Sequence, residues 1–101
     1  MGQIMVRYKV KPEYAAENEA LARTVYEELQ RVAPTGLRYA TFALDDGVSF
    51  VHLASHDGDG ESPLSSVPAF RAFLENINDR CEEPPHQVVL RSIGAYGLIP
   101  S

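Results

Sequence analysis

Residues Leu37–Ala54 read LRYATFALDDGVSFVHLA, and this stretch decides the fold. Its first part, Leu37–Leu44, is rich in aromatic and apolar residues, as is typical of a β-strand. Asp45-Asp46-Gly47 follows, and the glycine supplies the positive φ that a tight turn needs. Val48–Ala54 then returns as a second strand. The stretch therefore predicts an antiparallel hairpin.

The sequence before the hairpin predicts one strand and one long helix. Residues Gln3–Val10 alternate with period two, which indicates a strand with Ile4, Val6, Tyr8 and Val10 on one side. Pro12 is well placed at the first turn of a helix, and the helical pattern runs to about Ala33. The apolar stripe of this helix consists of Tyr14, Leu21, Val25, Leu29 and Val32.

The sequence after the hairpin predicts a loop, a shorter helix and a last strand. Ser55–Ser66 is rich in Gly, Asp, Ser and Pro and indicates a surface loop. Ser66 is a plausible helix cap, Pro68 a plausible early helical residue, and the helix is expected to end before Pro84-Pro85. Its apolar stripe would comprise Phe70, Phe73, Leu74, Ile77 and Cys81. The last strand is predicted from Gln87 to about Leu98.

The element order β-α-β-β-α-β predicts an α+β, ferredoxin-like domain, with two helices on one face of an antiparallel sheet. A length of 101 residues fits one domain over residues 1–101. The formal charge of −5, with no cluster of basic residues, argues against nucleic acid as a partner. The single cysteine excludes an internal disulfide. The polar start and the absence of a long apolar run lead us to expect a cytoplasmic protein that does not bind membranes.

The predicted strands carry apolar residues on both faces. In the second strand Tyr39 points to one face and Phe42 to the other. In the third strand Phe50 points to one face, and Val51 and Leu53 point to the other. The two helices can cover only one face of such a sheet. Each apolar side chain left in water on the other face would lose about 1.5 to 3 kcal/mol of burial free energy. We therefore expect a homodimer that packs sheet against sheet. A monomer whose strand register is shifted at bulges is the alternative.

Several segments together carry a resemblance to a known group of proteins. These segments are the opening strand into Lys11-Pro12, the long acidic helix, the turn 34–37, the run 49–55, the helix with Phe70 and Phe73, and residues 90–96. Through them the chain resembles, over nearly its whole length, the antibiotic-biosynthesis-monooxygenase-like domains of the dimeric α/β-barrel superfamily. The resemblance implies a sheet-to-sheet dimer, no permanent cofactor, and a pocket between sheet and helices.

Active members of this group are expected to oxidise an electron-rich phenol, quinol or haem, often with an Asn on the first strand, a Trp after the third and a helical His. Here the first strand offers Met5, Val6, Arg7 and Tyr8, and Leu53 stands at the expected Trp position. The chain has no Trp, and its second helix has no His. The prediction is therefore a protein that binds a small apolar or aromatic molecule without established turnover. The alternative is a cofactor-independent monooxygenase that acts on a quinol or a polycyclic phenol.

The candidate site residues are side chains that could enter the pocket. His52, Tyr39 and Tyr8 are the catalytic candidates, because imidazole can exchange a proton and strand tyrosines can orient a phenolic ligand. His52, Phe70, Phe73 and Arg91 are the ligand-binding candidates. Half-buried packing of the histidine and the tyrosines, and rim ion pairs of Arg7, Lys9, Arg38 and Arg91, remain open as alternatives.

Two further features carry no predicted chemistry. His56 lies near Asp57, Asp59 and Glu61, but this spacing fits neither a calcium loop nor a zinc pair, so no metal is expected. Cys81 has no accompanying Cys-His-Asp spacing and is predicted to fill the core.

Overall fold

A four-stranded antiparallel sheet carries the helices on one of its faces. The computed structural model describes residues 2–58 and 60–97. Its elements are β1 (Gly2–Val10), α1 (Ala15–Val32), β2 (Leu37–Ala43), β3 (Ser49–His56), α2 (Pro68–Glu75), α3 (Ile77–Arg80) and β4 (Cys81–Leu90). Single-turn 3-10 helices at Pro12–Tyr14 and Pro63–Ser66 precede α1 and α2. The strand order is β2-β3-β1-β4, so the predicted ferredoxin-like fold is confirmed.

The hairpin between β2 and β3 forms where the sequence predicts it. Gly47 has a φ of 79°, a conformation that favours glycine. The Asp46 carboxylate accepts hydrogen bonds from the backbone N–H groups of Val48 and Ser49, at 3.0 and 2.8 Å. These hydrogen bonds close the turn. β2 and β3 then pair without a register shift, from Leu37 opposite His56 to Ala43 opposite Phe50.

The core lies between the helices and one face of the sheet. Tyr8, Val10 and Phe50 are buried there against Val25 of α1 and Phe73 of α2. Residues opposite each other on neighbouring strands share a face, so Tyr39, His52 and Val6 also point toward the helices. No helix in the described part of the chain covers the other face, whose described apolar side chains are Met5, Ala40, Phe42, Val51, Leu53, Val88 and Leu90.

The prediction for the last strand is wrong at both ends. β4 begins at Cys81, six residues before the predicted start, and ends at Leu90. β4 is an edge strand, where proline is tolerated, and its register with β1 shifts between the pairs Arg7↔His86 and Lys9↔Glu83, where Pro84 and Pro85 lie. Beyond β4, Ile93 and Tyr96 are exposed and belong to no strand. The predicted end at Leu98 lies outside the described residues.

The second predicted helix is divided in two. It breaks at Asn76, whose φ and ψ of −121° and 29° are not helical, and Cys81 is the first residue of β4, not part of a helical stripe. Cys81 is nevertheless buried in the core, as predicted. Val67, not Ser66, is the N-cap of α2. The Glu28 carboxylate of α1 accepts a hydrogen bond from the backbone N–H of Ala69 at 2.8 Å and so joins the two helices.

No helix within the described part of the chain is long and apolar enough to cross a membrane.

Candidate functional site

A buried histidine on β3 is hydrogen-bonded on both sides of its ring. Tyr8 Oη lies 2.8 Å from His52 Nε2, and Tyr39 Oη lies 2.6 Å from His52 Nδ1. Thr41 Oγ1 lies 3.1 Å from the same Nδ1. The three strands β1, β3 and β2 are neighbours, and these side chains share the helix-side face at adjacent positions. The strand alternation therefore brings the three catalytic candidates together.

Two helical residues extend this network into the core. Asn18 of α1 donates from Nδ2 to Tyr8 Oη at 2.8 Å, and its Oδ1 accepts from Arg80 Nε at 3.2 Å. Arg80 Nη2 donates to the Phe73 carbonyl oxygen at 2.8 Å, and the guanidinium lies over the Phe73 ring. Among the described residues, every buried side-chain nitrogen and oxygen has a hydrogen-bond partner. The polar groups are thus satisfied inside an apolar core.

The network lies beside a small cavity beneath α2. The cavity has a volume of about 90 Å³. Its walls are almost entirely apolar, and the polar groups at its border belong to His52, Tyr8 and Tyr39. The apolar lining consists of Ile4, Val6, Ala54, Leu64, Phe70, Phe73, Leu74, Ile77 and Pro85. An apolar space with a few convergent polar groups is the usual form of a small-molecule site.

Burial sets the protonation states of the network. His52 is only 6% exposed, and burial lowers its pKa from 6.5 to about 4. Burial raises the pKa values of Tyr8 and Tyr39 well above the ordinary value of 10. At neutral pH the imidazole is therefore neutral and both phenols keep their protons. A neutral imidazole offers one N–H donor and one bare nitrogen as acceptor.

The lowered pKa of His52 predicts a loss of stability in mild acid. Unfolding returns the imidazole pKa to about 6.5. Below that pH the imidazole is protonated in the unfolded chain but stays neutral in the folded chain until the pH approaches 4. The contribution of the neutral imidazole to the free energy of unfolding is therefore complete above about pH 6.5 and is lost as the pH falls toward 4. Between pH 7 and 4.5 we expect wild type to lose about 2 kcal/mol more free energy of unfolding than His52→Gln. Urea titrations at both pH values measure this difference, and equal losses in the two proteins would contradict it.

The predicted ligand-binding residues do not all meet at the cavity. Phe70 and Phe73 line it together with His52. Arg91 is exposed just past the end of β4 and does not line it. Two other predicted cations form ion pairs within the chain: Lys9 with Glu82 at 3.7 Å, and Arg38 with Asp57 at 3.2 Å. These basic side chains therefore do not converge on the cavity.

Sequence reasoning missed Asn18 and Arg80. Asn18 falls on the apolar stripe of α1, between Tyr14 and Val25, and is fully buried. An amide on a core-facing stripe is a signal, because a buried polar group needs a partner. Arg80 follows Ile77 by three residues, so its position among core residues was readable in the same way.

The loop after β3 shows no cation site in its described part. His56 Nε2 is 3.1 Å from the carbonyl oxygen of Gly60, and Asp59 lies outside the described residues. No three His, Cys, Asp or Glu side chains gather at metal-binding distance in residues 2–58 and 60–97.

A second depression lies on the uncovered face of the sheet. It is a groove of about 260 Å³ whose lining includes Arg38, Phe42, Leu53 and Leu90. It is larger than the cavity beneath α2, but Arg38 is already bonded to Asp57 and Ser55, and no buried histidine is among the described residues that line the groove. We therefore take the cavity beside His52 as the candidate site.

The fold is shared with solved structures of other proteins. The chain has the fold of the antibiotic biosynthesis monooxygenases: one such crystal structure has a TM-score of 0.69 at 20% identity, covering 93% of this chain and all of that chain. A protein of unknown function from Nitrosomonas europaea has a TM-score of 0.73 at 17% identity, covering 99% and 94%. A mutant of SnoaB, a cofactor-independent oxygenase from Streptomyces nogalater, has a TM-score of 0.68 at 16% identity, covering 95% and 96%. No protein-family model and no curated protein matches the sequence.

Proposed function

We propose that this protein binds a small, neutral, single-ring aromatic molecule in the cavity beneath α2. The observation that carries the proposal is the junction of an apolar wall with three hydrogen-bonding side chains, His52, Tyr8 and Tyr39. Among the described residues, no charged side chain lines the cavity. An ion would therefore have to leave water without a partner, which strongly disfavours charged ligands.

The size of the cavity favours one ring over several. Its volume of about 90 Å³ exceeds the roughly 30 Å³ that one water occupies in the liquid, and an apolar cavity of about 150 Å³ is known to hold benzene. A single ring therefore needs only a small outward movement of α2. A polycyclic phenol would need a much larger displacement of Phe70 and Phe73, so we favour phenols, quinols and quinones of one ring.

A binding experiment with a filled-cavity variant tests this proposal. We expect phenol and 1,4-benzoquinone to bind with a Kd of about 0.1 to 1 mM, as their few heavy atoms allow. Ala54 lines the cavity, so Ala54→Leu should abolish binding, whereas Ala20→Leu on the exposed side of α1 should leave it unchanged. Perturbation of the His52 ring signals in NMR titrations reports binding at the right place. Absence of binding to wild type at 10 mM, or equal binding to Ala54→Leu, would reject the proposal.

A second candidate function is cofactor-independent oxidation of a quinol. The observation that favours it is the contact of a neutral imidazole with the cavity, because such a base can take a phenolic proton, together with the fold shared with SnoaB. The absence of the Trp and the helical His expected from the resemblance favours binding without turnover. Oxygen uptake with hydroquinone, compared between wild type and His52→Gln, decides between the two. Oxygen uptake by wild type that is no faster than the uncatalysed rate would reject the oxidation of quinols as the function.

The proposed working form is a homodimer joined through the uncovered sheet face. Seven apolar side chains of the described strands lie on that face, and Phe42, one of them, is 48% exposed. A contiguous apolar face of this kind is uncommon on a monomer and typical of an interface. A second copy of the same chain offers the same apolar pattern, as a two-fold interface requires.

A further inference from the structure

A buried arginine fixes the orientation of the hydrogen-bond network. Arg80 is 3% exposed, and none of the ion pairs among the described residues includes it. A guanidinium can only donate hydrogen bonds, so the Asn18 atom that faces Arg80 Nε must be the amide oxygen. The Asn18 NH₂ group is thereby turned toward Tyr8 Oη, 2.8 Å away.

The orientation of this amide determines which nitrogen of His52 carries the hydrogen. Tyr8 Oη accepts from Asn18, so its single hydrogen is donated to its other partner, His52 Nε2. Nε2 is then the bare nitrogen. The neutral ring must carry its hydrogen on Nδ1, which donates to Tyr39 Oη at 2.6 Å. The donor direction thus runs from Arg80 through Asn18, Tyr8 and His52 to Tyr39.

We propose that Arg80 and Asn18 are positioning residues that hold His52 in the Nδ1–H tautomer, so that the Tyr39 hydroxyl hydrogen is left for an acceptor oxygen on the ligand. The opposite tautomer would use that hydrogen, because a bare Nδ1 would accept from its nearer hydroxyl, which is Tyr39 at 2.6 Å and not Thr41 at 3.1 Å. Tyr39 lines the cavity, and its hydroxyl hydrogen is left unused by this donor direction among the described residues. This inference rests on the proposed binding function and narrows it to rings that carry a carbonyl or phenolic oxygen.

The isosteric change Asn18→Asp is designed to reverse the network. A carboxylate between Arg80 and Tyr8 accepts from both, so the Tyr8 hydrogen turns toward residue 18 and Tyr8 Oη accepts from His52 Nε2. We expect the ring ¹⁵N signals of wild type at pH 7 to show a hydrogen on Nδ1, and those of Asn18→Asp to show it on Nε2. Arg80→Met releases the amide and should give a mixture of tautomers, and Arg80→Lys should restore the Nδ1–H form.

Ligand affinity supplies the functional readout. We expect Asn18→Asp to bind 1,4-benzoquinone about tenfold more weakly than wild type, with benzene affinity unchanged, because only benzoquinone uses the Tyr39 hydrogen. The tautomer is measured on the free protein, so it is decided even where no ring binds. An Nε2–H form in wild type would overturn the inference, as would the same tautomer in wild type and a folded Asn18→Asp. Equal weakening of benzene and benzoquinone would also overturn the assignment of the Tyr39 hydroxyl.

Discussion

Phe73→Ala is expected to lower the free energy of unfolding by about 3 to 5 kcal/mol, as removal of a buried aromatic ring from a core usually does. The Phe73 ring is 2% exposed and packs edge-on to Tyr8, with centroids 6.4 Å apart. It also lies 5.4 Å from the His52 ring and beneath the Arg80 guanidinium. The truncation therefore removes hydrophobic burial and leaves a buried charge without its aromatic neighbour. The free energy of unfolding of a small domain is only about 5 to 15 kcal/mol in total, so this loss is a large fraction of its stability.

Urea unfolding followed by circular dichroism measures this loss. The matched control is Val32→Ala, at an exposed position at the end of α1, which should cost no more than about 0.5 kcal/mol. All proteins are compared at one concentration, because the proposed dimer would make apparent stability depend on concentration. A loss below about 1 kcal/mol for Phe73→Ala would contradict the packing described for the core.

The central part of the fold could be predicted from the sequence because local signals and tertiary packing agree there. Gly47 and the apolar-rich runs on both sides of it predict the hairpin, and Pro12 marks the start of the first helical segment. The last strand could not be placed in this way. Pro84-Pro85 breaks most strands, and only its position at a sheet edge, with a shifted register, makes the pair tolerable. Edge position depends on how the strands assemble and cannot be read from neighbouring residues.

The contacts of the candidate site were predictable only where they join residues on strands. Tyr8, Tyr39 and His52 stand at alternate strand positions, so their meeting needs only the correct pairing of β1, β3 and β2. Asn18 and Arg80, which are 62 residues apart in the chain, join them from two different helices. Their contact depends on how the helices dock on the sheet, which no local pattern records. Arg91 lies away from the cavity for a related reason, because the chain leaves the sheet after Leu90.

Leu53→Arg is expected to convert the proposed dimer into a monomer. Leu53 lies on β3, an inner strand, and pairs with Met5 on one side and Ala40 on the other, so it stands near the middle of the uncovered face. A guanidinium there would be desolvated by the partner sheet without a carboxylate on the described part of that face to pair with it. If the two-fold axis passes close by, the two introduced charges would also repel each other.

Sedimentation equilibrium at tens of micromolar protein separates the two forms, because the dimer has twice the mass of one chain. Wild type and the control Val32→Arg, whose change is on the exposed end of α1, should both sediment as dimers. Leu53→Arg should sediment as a monomer and keep the circular dichroism spectrum of wild type, since its side chain points away from the core. A wild type that is monomeric at this concentration would reject the sheet-to-sheet dimer. A dimeric Leu53→Arg would show that the chains associate through another surface.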